Sequence, residues 1–182
     1  EVISPKNILL IEQDEEKRIK YQKETNCYVQ PGIDKKICRY SIILIALKPQ
    51  VARSTMILLA KHLLPSHLVI SIMAGISLKT METLLKQKKL VRVMPNIPTI
   101  IAEGMSVFFA LSDLDPKERK WVNNLFSACG KCLEAKDENA IDAATAISGS
   151  GPGYIFYFAE KITQSAMSLG FSEKDAQLLV RN

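Results

Sequence analysis

The stretch "HLVISIMAGISLKTMETLLKQ" (67–87) decides the fold. Its opening "HLVISIM" is an almost unbroken apolar run of strand length, the pattern of a strand covered on both faces. "AGIS" then turns the chain, Ser77 offers an N-cap hydroxyl, and "LKTMETLLKQ" reads as a helix. The same unit recurs on either side. "NILLIE" (7–12) predicts a strand and "DEEKRIKYQKE" an exposed helix; "SIILIAL" (41–47) predicts a strand buried on both faces, and "VARSTMILLAKHLL" its helix. "LVRVM" (90–94) and "MSVFFAL" (105–111) add two more strands. Asp115, Pro116 and Glu118 stand in the order of a capping box with a first-turn proline. The helix they open carries an apolar stripe of Trp121, Val122, Leu125 and Phe126, and "KCLEA" predicts a last strand. Buried strands alternating with helices imply an α/β fold, an open and mostly parallel sheet with helices on both faces.

From Glu138 the strand pattern stops. "ENAIDAATAI", "PGYIFYFAEKITQSAMSLG" and "SEKDAQLLV" all read as helix, so the chain divides into an α/β domain over 1–138 and the start of a helical domain over 139–182. The chain opens with Glu1 rather than Met and ends at Asn182 in a helix that has barely begun, so both domains are expected to be incomplete.

The 182 residues are 47% hydrophobic and 24% charged, an ordinary globular balance, with a mild formal charge of +5. The dense basic patch "KQKK" (86–89) lies where a helix ends, where cations complement the helix dipole. No aromatic residues interleave with it, as single-strand nucleic-acid binding would need, so no nucleic-acid partner is expected. No apolar run approaches the roughly 20 residues of a membrane span. Cys129 and Cys132 form a C-x-x-C, but the helix before them is expected to end at Cys129 with Gly130 as its stop, where the dipole has the wrong sign to activate a thiol. The cysteines therefore read as small apolar filler with no metal site. Reduced thiols suit a cytoplasmic protein, and a mitochondrial one stays open because the start looks cut.

In an open α/β sheet, ligands bind beyond the carboxyl ends of the strands. "LKPQ" (47–50), "MAGIS" (73–77) and "MPNIP" (94–98) each begin where an apolar run stops, with Lys48 and Asn96 as polar handles. A nucleotide is the natural ligand, although the G-x-G-x-x-G turn that marks such sites is absent and would lie before residue 1. Glu12 closes its strand with the right chemistry for a ribose 2′-hydroxyl; the same carboxylate equally suits a solvated charge before a helix.

"VRVMPNIPTIIAEGMSVFF" followed by "DAATAISGSGPGYIFYFAE" resembles the pyrroline-5-carboxylate reductase family, and "IALKPQ", "VISIMAGIS" and "LFSACGK" fall in that family's order and spacing. The resemblance covers essentially the whole chain. It implies a Rossmann-like domain followed by a helical dimerisation domain, and a homo-oligomer in the complete enzyme. It implies hydride transfer from NADPH or NADH to the C=N carbon of 1-pyrroline-5-carboxylate, giving L-proline. By the same resemblance Thr145 approaches the substrate nitrogen, and Ser148, Gly149, Ser150 and Gly151 shape the pocket near the substrate carboxylate. Ala46, Lys48, Pro49, Ala74, Gly75, Met94, Asn96 and Pro98 then face the cofactor with Glu12, and Glu103 and Gly104 match the family's E-G pair. Physically, amides exposed in a glycine turn at a helix start would form an anion nest, with Pro152 at the first helical position.

Four departures accompany the resemblance. The glycine turn is absent, the family's S-P-G-G-T-T loop would lie beyond Asn182, and Gly153 replaces the usual Ala. Gln13 stands where many members that use NADPH carry Arg, so a 2′-phosphate is expected to meet Glu12 and no cation, which adds weight to NADH and leaves the family's usual NADPH open. The expectation is an oxidoreductase, as a fragment or a truncated copy that by itself binds dinucleotide weakly. The alternative is a non-catalytic remnant that keeps the fold or the association alone.

Overall fold

The computed structural model describes residues 3–112 and 114–182; Glu1, on which the reading of the chain's start rests, lies outside them. Five strands form the main sheet: β3 (Ile42–Ile45), β4 (Leu68–Ser71), β5 (Leu90–Met94), β6 (Gly104–Ala110) and β7 (Gly130–Glu134), in that spatial order. Strands β3, β4 and β5 run parallel, with Ile45 beside Ser71 and Ser71 beside Arg92. β6 returns antiparallel to β5, and β7 runs parallel to β6. The parallel crossovers are α2 (Pro49–Ala60) and α3 (Leu78–Leu85), and α4 (Pro116–Ser127) joins β6 to β7.

The alternation of side chains along each strand divides the core in two. On one face Ile45, Val69 and Leu90 pack against Ala52, Met56 and Leu59 of α2 and Met81 and Leu85 of α3. On the other, Leu68, Ile70, Val91, Val93 and Phe108 pack against Val122 and Phe126 of α4, with half-buried Trp121 and Leu125 beside them. The expected caps form. Ser77 Oγ accepts from Thr80 N at the start of α3, and Asp115 and Glu118 complete a reciprocal capping box on α4. The "KQKK" patch is held by acidic partners: Lys88 pairs with Glu82 at 3.0 Å, Lys89 with Glu118, and Gln87 is buried.

Several expectations are corrected. A second sheet of two short parallel strands, β1 (Leu9–Ile11) and β2 (Tyr28–Gln30), stands apart in hydrogen bonding from the main sheet, and β2 went unread because "YVQ" is short and half polar. α1 (Glu15–Thr25) joins β1 to β2 and buries no residue, as expected of its charged sequence. β3 is not covered on both faces, since Leu44 on this terminal strand of its sheet remains exposed. α4 ends at Ser127 with Ala128 as its cap, and Gly130 instead opens β7 at φ +138°. There it lies beside Gly104, so closely that a Cβ on Gly130 would stand 2.1 Å from the Gly104 oxygen.

The largest correction concerns 139–168. Helix α5 (Asn139–Ala144) runs through a π-helical turn at Thr145–Gly149 directly into α6 (Gly151–Ser168), and α7 (Glu173–Arg181) packs back on α6. The "SGSGP" stretch is therefore helix, not a glycine turn at a helix start. Pro152 is the second residue of α6, and none of Gly149, Gly151 and Gly153 has positive φ. An anion nest needs alternating right- and left-handed residues, so none forms here.

Candidate active site

Because β3, β4 and β5 are parallel neighbours, their carboxyl ends share one edge of the sheet. Ala46, Lys48 and Pro49 follow β3, and Ala74 and Gly75 follow β4; all five are exposed. Gly75 has φ +72°, and a Cβ added there would meet no atom within 4 Å, so the backbone at this turn is open to close approach. Lys48 precedes α2 with no side-chain capping bond, leaving its ammonium free of the helix start.

The third strand end meets the helical segment. Met94 closes β5, and Asn96 precedes the 3-10 turn Ile97–Ile101 that contains Pro98. Asn96 Oδ1 accepts from Met105 N at 2.8 Å, and its Nδ2 donates to Ser148 O at 3.1 Å. The second bond has a local cause. Ser148 O lies four residues before Pro152, which has no N–H to donate back along the helix. Asn96 supplies the donor that Pro152 lacks. Gly149 eases the approach: a Cβ there would stand 3.2 Å from Met94 Cε and 3.5 Å from Thr145 Cγ2.

Within the π turn, Ser150 N donates to Thr145 O at 2.8 Å, the five-residue spacing that widens the helix. Thr145 Oγ1 donates to Ile141 O at 2.8 Å, and Ser148 Oγ donates to Ala144 O at 3.1 Å. With their hydrogens committed along the helix, both hydroxyls retain lone pairs to accept from a ligand. Thr145, Ser148, Gly149, Ser150 and Gly151 are all half-buried. The fold thus gathers Met94, Asn96, Thr145, Ser148 and Gly149 at one place, with Ser150 and Gly151 next along the helix.

Glu12 lies elsewhere. It follows β1 in the separate sheet, where its Oε1 accepts from Asp14 N at 3.0 Å. Sequence reading also missed Arg18, which folds back from α1 so that Nη1 donates to Glu12 O at 3.2 Å and Gln13 O at 2.5 Å. The end of β1 therefore carries a cation as well as a carboxylate. The spacing of six residues across a helix start hid it. Gly104, the second residue of the E-G pair, is buried where a Cβ would meet Thr99 Cγ2 at 2.2 Å, so it serves the close packing of the 3-10 turn; Glu103 is exposed. Burial pushes the Cys132 thiol up, away from the reactive thiolate.

The architecture is a Rossmann-like, dinucleotide-binding type of fold followed by helices. Residues 138–182 match the family model described as pyrroline-5-carboxylate reductase dimerisation, and residues 2–75 match that of NADP oxidoreductase, coenzyme F420-dependent. The chain is 38% identical over 141 residues to pyrroline-5-carboxylate reductase of Pasteurella multocida, covering 77% of this chain and 51% of that one. To the Pseudomonas aeruginosa enzyme it is 36% identical over 139 residues, covering 76% and 51%. Its fold superposes on a pyrroline-5-carboxylate reductase from Coxiella burnetii with a TM-score of 0.85 at 25% identity, covering 97% of this chain and 66% of that one. For the Plasmodium falciparum reductase, solved with NADP bound, the TM-score is 0.82 at 28% identity, covering 97% and 64%. In sequence and in fold the chain is similar to pyrroline-5-carboxylate reductases. It spans about half the length of the curated relatives it matches.

Proposed function

We propose that the protein carrying this chain reduces 1-pyrroline-5-carboxylate to L-proline with a reduced nicotinamide dinucleotide. The observation that carries the reading is the bond from Asn96 to the Ser148 oxygen, which joins the strand-end edge to the half-buried Thr145–Gly151 turn. The relatives' names and the NADP bound to the Plasmodium falciparum enzyme support the same reading.

On this proposal Ala46, Lys48, Pro49, Ala74, Gly75, Met94, Asn96 and Pro98 face the dinucleotide; the open backbone at Gly75 fits such an approach. Glu12 and Arg18 face its adenosine ribose. Bound there, the dinucleotide supplies a hydride to the imine carbon. Thr145 Oγ1, whose hydrogen is held by Ile141 O, accepts the N–H of the protonated imine and keeps that bond in the amine product. Ser148 Oγ and Ser150 are placed beside it to orient the ring. One proton and one hydride are added across C=N, and the nicotinamide is oxidised. The work of these residues is positioning, since the donor and acceptor carbons must stand about 3–3.5 Å apart.

The same proposal makes the protein a homodimer. Tyr154, Ile155, Phe156, Tyr157 and Phe158 of α6 are each 61–66% exposed, and this segment lies within the match to the dimerisation model. The test of function is oxidation of NADPH or NADH by the full protein on addition of 1-pyrroline-5-carboxylate, with proline as product. Folded protein that leaves the nicotinamide absorbance unchanged would refute the reading.

A further inference from the structure

Arg92 stands alone as a charge in the apolar strand β5, and its side chain is 5% exposed. It needs partners, because an unpaired buried guanidinium is strongly destabilising. Its Nη1 donates to Glu138 Oε1 at 3.0 Å, and its Nη2 to Asp142 Oδ1 at 2.6 Å. The two acids are neighbours on one face at the start of α5. Asp142 is largely in water, whereas Glu138 is mostly covered.

Glu138 Oε1 has a second donor, the backbone N–H of Leu78 at 2.8 Å. Leu78 is the first residue of α3, and an amide there has no partner inside its own helix. The Ser77 hydroxyl is turned to Thr80 N and does not serve it. One carboxylate oxygen therefore ties together the sheet through Arg92, the start of α3, and the residue before α5. The start of α3 directly follows the Gly75 turn, and α5 runs into Thr145 within two turns. At the far end of the same segment, Asn96 holds Ser148 O. A helix tethered at both ends can neither slide nor rotate against the sheet.

We infer that Glu138 is a positioning residue for the reaction: held by Arg92, it fixes the separation between the Gly75 turn and the Thr145–Gly151 turn. The inference rests on the proposed placement of dinucleotide at the first and imine at the second. Glu138 touches neither, and acts through the register of α3 and α5. Its function resides in reach more than in charge, because both donors converge on one oxygen that a shorter side chain cannot present to them together.

Two substitutions in the full protein separate reach from charge. Glu138→Gln keeps the acceptor oxygen and loses the charge; Glu138→Asp keeps the charge and loses the reach. Glu138→Asp should lower kcat by about 10- to 100-fold, the scale of a misplacement near 1 Å, with the KM for dinucleotide within about twofold. Glu138→Gln should stay within about threefold of wild type. Amide hydrogen exchange provides a readout independent of turnover: Glu138→Asp should accelerate exchange at Leu78 and across residues 139–149, and leave Val69 and Ile70 in β4 unchanged. Unaltered exchange across 139–149 would overturn the tether. Accelerated exchange with unaltered kcat, or Glu138→Gln as impaired as Glu138→Asp, would overturn the positioning role. If the wild-type protein does not reduce the imine, the proposed function fails, and the exchange result still decides whether Glu138 holds α5 to α3.

Discussion

Replacing Thr145 with valine tests the chemistry of the site with little cost to the fold. Valine keeps the Cγ2 methyl and sets a second methyl where the hydroxyl was, so the Cγ2 beside Gly149 remains and the approach of Met94 is undisturbed. The lost hydroxyl bond leaves no orphan, because Ile141 O also accepts from Thr145 N. Net loss from such a bond is about 0.5–1.5 kcal/mol, small enough for the turn to persist. The functional loss is larger. With its hydrogen directed to Ile141 O, the hydroxyl's remaining capacity is as an acceptor, and the donor it would meet is the charged N–H of the protonated imine. Hydrogen bonds to charged groups are worth about 1.5–3 kcal/mol. At roughly 1.4 kcal/mol per decade, Thr145→Val should lower kcat/KM for 1-pyrroline-5-carboxylate by about 10- to 150-fold. Dinucleotide affinity, read by fluorescence titration, should stay the same, and Thr145→Ser should retain most activity. A folded Thr145→Val protein with wild-type kcat/KM would remove the hydroxyl from the reaction.

Three further outcomes are expected. Arg18→Gln should weaken binding of NADPH by about tenfold relative to NADH, by calorimetry on the full protein, because a phosphate gains more from a guanidinium than a hydroxyl does; an unchanged ratio would leave Arg18 a purely local clasp on residues 12 and 13. Burial holds the His67 imidazole below its ordinary pKa of 6.5, with Nδ1 accepting from Leu64 N, so the unfolded chain binds more protons near and below that pH. Stability to urea should be full above pH 6.5 and fall as pH drops from there toward the lowered folded pKa, and His67→Gln should remove that part of the slope; the same slope in both proteins would exclude His67 as its source. Gly130→Ala should cost about 3 kcal/mol or more in thermal or urea unfolding, since its Cβ meets the Gly104 backbone and its φ is positive; a near-neutral change would mean that β6 and β7 separate at little cost.

What is legible in the sequence is what depends on near neighbours. β4 and β5 announce themselves because residues covered on both faces leave no polar alternation, and α3 and α4 because their capping residues stand within three positions of the amides they serve. The two-strand sheet escapes because β2 is three residues long and one of its side chains, Tyr28, is exposed. Arg92 is an intermediate case. A lone charge in "LVRVM" signals that opposite charge must be near, yet its partners lie 46 and 50 residues further on and are chosen by packing.

The "SGSGP" stretch shows why the site itself is the hardest part to read. Glycine widens the set of permitted backbone conformations without choosing among them, so a local reading has no ground to prefer helix over turn. Here the choice is made at long range. A helix through Pro152 would leave Ser148 O without a donor, and the π turn at Thr145–Gly149 would gain little by itself. Asn96 resolves both, donating to that oxygen from 52 residues away while its own carbonyl is held by Met105 N. Gly149, with no Cβ, leaves the end of Met94 room that a side chain there would narrow. The M-P-N and S-G-S-G-P motifs are accordingly two halves of one hydrogen-bonded junction: the proline of the second creates the vacancy that the asparagine of the first fills, and Thr145 is presented at the edge of the sheet as the result.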